Sequence, residues 1–102
     1  MTLVSRPIYR VVYLVVAYDI TDDKRRNRIA KVLEDYGDRV QYSVFECNIA
    51  RKHFLRLRDR LEKIMNPDED SIIFYHLCRS CEIEIERMGV EKGRLSEEDY
   101  IV

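Results

Sequence analysis

Eight consecutive apolar residues, Val11-Val12-Tyr13-Leu14-Val15-Val16-Ala17-Tyr18, run without interruption into Asp19. The run is rich in β-branched and aromatic types and too short for a comfortable buried helix. It therefore predicts a strand in the middle of a sheet, buried on both faces. Asp19 stands where that strand leaves the core, and a basic helical stretch follows after Ile20-Thr21-Asp22-Asp23. A carboxylate at the end of a central strand, facing a cationic helix start, suits metal and phosphate chemistry. The plainer alternative is that Asp19 caps or turns the chain.

A chain of 102 residues is one domain, residues 1–102, with room for a single two-layer core. Only three Gly and two Pro accompany 46% hydrophobic residues, a composition that folds compactly. No apolar stretch reaches membrane-spanning length, and residues 1–10 lack the long apolar region of a signal peptide. A cytoplasmic location is expected, with no membrane partner. Three cysteines, an odd number, fit reduced thiols better than a disulfide framework.

The net charge of -1 argues against a generic nucleic-acid binder, but its distribution is uneven. Residues 51–65 carry six Lys/Arg against two Asp/Glu, whereas residues 66–102 carry four against ten. A basic middle can thus present a positive face that an acidic tail hides in the total.

Residues 1–10 read as a lead into the strand, with Pro7 interrupting any clean extension. A first helix is expected from about Asp22 to Tyr36, capped by Thr21, with Asp22 and Asp23 in the favoured first turn. Ile29, Val32, Leu33 and Tyr36 form its apolar stripe, and Gly37 its stop. Arg39 to Ile49 is strand-like, and topology splits it into a hairpin turning near Tyr42-Ser43-Val44. A second helix from about Ala50 to Met65 shows Phe54, Leu57, Leu61, Ile64 and Met65 on one side, softly capped by Asn48 and ended by Asn66-Pro67. Asp70 to Leu77 is a further core strand. Glu82 to Met88 alternates with period two, ends at Gly89, and reads as an additional strand.

The order strand, helix, strand, strand, helix, strand gives an α+β fold, a ferredoxin-like βαββαβ sandwich. The additional C-terminal strand and tail, residues 82–102, have little core left to cover. Pairing with a second copy in a C2 homodimer is their expected use.

One Asp19 cannot hold Mg²⁺ firmly, because that ion takes one or two carboxylates and keeps waters or substrate phosphates. A two-fold axis near the strand end would bring a second Asp19 to complete the site. Arg25, Arg26, Arg28 and Arg39 are candidates to grip phosphates, or else a solvated face. The six cations of the second helix are likewise a solvent face or a backbone-binding stripe. Cys78-Arg79-Ser80-Cys81 has metal-knuckle spacing, with Cys47, His53 and His76 as conceivable further ligands. A second C-x-x-C is absent, so buried thiols are the better reading. His76 reads as a packed strand residue, and no phosphate-binding Gly loop or dinucleotide fingerprint is present.

Tyr18-Asp19-Ile20-Thr21-Asp22-Asp23-Lys24-Arg25-Arg26-Asn27-Arg28 and Arg39-Val40-Gln41-Tyr42-Ser43-Val44-Phe45-Glu46, followed by the Asp70-Ser71 strand, resemble the Cas2 family of small CRISPR-associated proteins. The resemblance covers residues 11–90. It implies a homodimer with Asp19 of each protomer at the interface. It also implies Mg²⁺-dependent endonuclease action on RNA or DNA phosphodiesters, and a place between dimers of the CRISPR integrase during spacer acquisition. By family pattern the positions of interest are Tyr18, Asp19, Arg26, Arg28, Arg39, Ser43 and Phe45, with Asp19 as the metal ligand. The chain departs from the pattern at Cys47, where Gly is common, at His76, where Pro is common, and in its longer N-terminal lead.

The implied partners are a second copy, nucleic acid (duplex DNA or single-stranded RNA) and the integrase. Two rivals share the element order. A single-stranded RNA-binding module of RRM type would stack bases on Tyr42, Phe45, Phe74 and Tyr75. A small-molecule or metal-sensing regulatory domain would need a defined pocket.

Overall fold

The computed structural model describes residues 11–77 and 85–89. β1 (Val11–Asp19) leads through a short turn to α1 (Asp23–Glu34), then β2 (Gly37–Gln41), β3 (Val44–Ala50), α2 (Arg51–Ile64) and β4 (Ser71–Leu77). The strands form one antiparallel sheet in the order β2-β3-β1-β4. This is the expected ferredoxin-like α+β arrangement, and the hairpin turns at Tyr42-Ser43 as topology required.

β1 is central but its two faces differ. Leu14, Val16 and Tyr18 are buried, together with their cross-strand neighbours Cys47 and Phe45 of β3. They meet Ile29, Val32 and Leu33 of α1 and Phe54, Leu57 and Leu61 of α2 in one core. The alternate residues Tyr13, Val15 and Ala17 are only half-buried. The expected burial on both faces is therefore corrected: both helices lie on one side, and within a single chain nothing among the described residues fully covers the other. On that open side β4 contributes Ile73 and Tyr75, 45% and 51% exposed, opposite Ala17 and Val15. Full burial of a Val, Leu, Ile or Phe side chain is worth roughly 1.5–3 kcal/mol, so an open face of this composition favours a covering partner.

Helix boundaries shift by a residue or two, and the caps shift with them. Asp22, not Thr21, is the N-cap of α1, its carboxylate accepting from the Arg25 N–H at 2.9 Å. Asp35 ends the helix, with its N–H returning to the carbonyl of Val32 at 3.0 Å. Gly37 is no left-handed stop but the first residue of β2. A Cβ there would stand 2.1 Å from the Glu46 carbonyl oxygen and 2.7 Å from Cys47 Sγ. Glycine is required by close approach of two strands rather than by dihedral freedom. α2 has Ala50 at its N-cap, with no side-chain cap; Asn48 lies within β3.

Asp70 precedes β4 instead of opening it. Of the expected additional strand, residues 82–84 lie outside the described residues, and Ile85 to Met88 is irregular, followed by Gly89 at φ 81°. Arg87 docks this segment on the open sheet face, donating from Nη2 to Glu46 Oε1 at 2.7 Å, where the Tyr13 hydroxyl also donates at 3.1 Å. The N-terminal lead, Cys78, Cys81 and the tail from residue 90 lie outside the described residues.

Candidate functional site

The period of two that builds β1 also divides its last two residues between opposite faces. Tyr18 turns under the helices, and Asp19 turns to the open face, exposed, opposite Ser71 of β4. The sequence pairs them as neighbours; the sheet separates their side chains.

On the helix side Tyr18, Phe45 and Arg39 form a stack. The rings of Tyr18 and Phe45 lie 6.3 Å apart, and the Arg39 guanidinium sits 5.2 Å from the Phe45 centroid, a cation–π geometry. Phe45 is fully buried and thus supports this group from within the core. Ser43 joins through its backbone, its carbonyl accepting from the Tyr18 N–H at 3.1 Å. The Tyr18 hydroxyl donates to the Tyr42 carbonyl at 3.4 Å. Burial raises the Tyr18 pKa above its ordinary value, with Arg39 opposing, so the phenol is a proton donor at neutral pH.

The arginines of α1 are not equivalent. Arg26 donates from Nη1 to the Ile20 carbonyl at 3.0 Å and pairs with Asp23, whose hydrogen bond is the main cause of its raised pKa. Arg25 is committed to Asp70 through Nε at 2.8 Å and Nη2 at 3.1 Å, and to Glu69 at 3.0 Å. It is therefore a structural cation, which corrects its reading as a phosphate grip. Arg28 is exposed and forms no ion pair or side-chain hydrogen bond among the described residues.

Asp70 is the residue that sequence reasoning missed. Its side chain is 0% exposed, yet it accepts from Arg25, from the Thr21 N–H at 3.3 Å and from the Asn66 N–H at 2.9 Å. These bonds, Arg25 foremost, hold its carboxyl at about 2, against the opposing push of burial. The only available signal was an acid placed immediately before a β-branched strand.

On α2, Arg60 reaches back to Tyr36 and Asp35, and Lys63 pairs with Asp59. The expected six-cation stripe therefore reduces to the exposed Arg51, Lys52, Arg56 and Arg58. His76 is exposed at the sheet edge with its ring edge-on to Phe54 at 5.0 Å. Cys47 is a buried thiol, pushed up to about 12 chiefly by burial, which makes it unreactive. Among the described residues no cluster of three or more His, Cys, Asp or Glu gathers to cage a metal. A solitary exposed carboxylate fits Mg²⁺ in its usual manner, one or two acids with the remaining positions left to water and phosphate, and suits no closed zinc site.

The four aromatics of the RRM reading share no platform. Phe45 is in the core, Phe74 packs edge-on against Phe54 at 5.5 Å, Tyr42 is in the hairpin turn, and only Tyr75 lies on the open face. No helix among the described residues is long and apolar enough to cross a membrane.

Comparison with known proteins gives a consistent result. A family profile described as CRISPR associated protein Cas2 matches residues 12–85. A protein of Thermus thermophilus named CRISPR-associated endoribonuclease Cas2 is 41% identical over 93 residues, covering 90% of this chain and 99% of its own. The crystal structure of Streptococcus pyogenes Cas2 at pH 6.5 superposes with a TM-score of 0.68 at 36% identity, over 76% of this chain and 99% of that one. A chain of a partial Cas6-RT-Cas1–Cas2 complex superposes with a TM-score of 0.66 at 27% identity, over 83% and 94%.

Proposed function

Because the chain belongs to the Cas2 family of CRISPR-associated proteins, we propose that it acts in CRISPR adaptation as a homodimer that binds nucleic acid beside the integrase and hydrolyses phosphodiesters with Mg²⁺. The endoribonuclease name of the Thermus relative and the Cas1–Cas2 assembly of a structural neighbour support the two halves of this reading.

One observation carries the catalytic half: Asp19 is exposed on the same open sheet face as Ile73 and Tyr75. A two-fold pairing through that face buries the apolar residues and turns two Asp19 carboxylates toward each other. Together they supply the one or two acids that Mg²⁺ requires, and the cation, when bound, supplies Lewis acidity at the phosphodiester. Arg28 offers the exposed guanidinium nearest in sequence for the phosphate. Arg39, backed by Phe45, adds a fixed positive charge on the far side of the strand end, where Tyr18 lies beside Phe45 with its hydroxyl donated to the Tyr42 carbonyl. Arg26 holds the loop after Asp19 rather than facing outward.

The nucleic-acid half rests on the exposed cations of α2. Arg51, Lys52, Arg56 and Arg58 engage a duplex through its backbone, without reading sequence. Asp19→Ala tests the catalytic assignment. Loss of Mg²⁺-dependent cleavage of single-stranded RNA and duplex DNA, with dimer mass retained, is expected; cleavage that survives the substitution removes Asp19 from the chemistry.

A further inference from the structure

The turn between β1 and α1 contains one peptide unit, joining Ile20 to Thr21, that is gripped at both poles. Its carbonyl accepts from Arg26 Nη1 at 3.0 Å, and its N–H donates to Asp70 Oδ1 at 3.3 Å. Ile20 itself is 3% exposed, so the unit is also anchored by its side chain. Asp70 does not wander: its other oxygen accepts from Arg25 Nε at 2.8 Å and from the Asn66 N–H at 2.9 Å, and its side chain is fully shielded. The residue after it, Ser71, is the cross-strand partner of Asp19.

We propose that Asp70 is a positioning residue for Asp19, acting with Arg26 through the peptide that joins Ile20 to Thr21. A carboxylate at a strand end is free to swing unless the backbone on its far side is fixed. Here β4 pairs with Asp19 across the sheet, and the two-ended grip fixes the Ile20–Thr21 peptide plane, one residue further along the chain. A buried acid with five donor atoms on it is far more than a turn of this length needs for solvation alone. It is what a ligand held in one direction needs, because outer-shell groups that orient a ligand govern metal affinity. Arg25 takes no part in recognition on this account; it keeps Asp70 ionised and immobile.

The inference rests on the assignment of Asp19 as metal ligand, and the test separates the two. Mn²⁺ binding to the full-length dimer is measured by the loss of the free-ion electron paramagnetic resonance signal, for wild type, D19A and D70N, with mass and thermal melting recorded for each. D70N is expected to remain a dimer and bind Mn²⁺ about 10–100-fold more weakly, with D19A binding none. A folded D70N dimer of wild-type affinity beside a D19A that binds none overturns the positioning role and leaves Asp19 a ligand. A lowered melting temperature without loss of affinity overturns it likewise, since that is a purely structural effect. Wild-type affinity in D19A overturns both assignments. Should D70N fail to fold, Arg25→Gln keeps the Thr21 and Asn66 bonds to Asp70 while removing its charged partner; weakened Mn²⁺ binding supports the role, and unchanged binding overturns it.

Discussion

Asp70 and Arg25 form the most shielded ion pair among the described residues, with the carboxylate wholly shielded and the guanidinium partly so. The folded-state pKa of about 2 lies below the unfolded value near 3.9, so this acid contributes stability above about pH 4 that is lost as pH falls toward 2. D70N has no such group to protonate. Urea midpoints should place wild type above D70N at pH 6 and bring the two curves together near pH 2; parallel curves would show that the pair is not coupled to folding. The pair was not readable from sequence, because its members stand 45 positions apart and an arginine among four neighbouring cations carries no mark of its partner. Asp19 was readable, since the apolar run before it leaves no doubt where the strand ends. Its direction was not: period two says that Tyr18 and Asp19 oppose each other, but not which of them faces the helices.

At the scale of elements, periodicity located every strand and helix of the described core, and topology located the hairpin. Capping failed where a neighbour competed. Thr21 is drawn to Asp70 and Glu69, so Asp22 takes the cap, and Gly37 is needed by the approach of β3 rather than by the helix end. Gly37→Ala should therefore destabilise the chain by about 1–3 kcal/mol. That corresponds to at least several degrees in a thermal melt of a domain this size. Adding Cys47→Gly should not rescue it, because the nearer obstacle is the Glu46 backbone carbonyl, not the thiol. Rescue by the second substitution would show that Sγ is the true contact. The distribution of cations on α2 was equally deceptive. Helical spacing counted six, but Arg60 is spent on Tyr36 and Asp35, an interaction across two helices that spacing cannot show.

For the whole molecule, the decisive feature is a sheet whose helices, among the described residues, lie on one side only. The continuous apolar run of β1 predicts burial on both faces, and the described residues of a single chain satisfy one; a second copy is the economical way to satisfy the other. Ile73→Glu, which places a charge in the middle of the open face, should convert the proposed dimer to monomer in light scattering with little loss of secondary structure. A persisting dimer would place the interface elsewhere. In the proposed site two Asp19 carboxylates share one cation across the two-fold axis. The stoichiometry of Mn²⁺ in the purified dimer reads this directly: one ion for every two chains, absent in Asp19→Ala, is the result predicted, and one ion per chain, or an ion retained without Asp19, contradicts it.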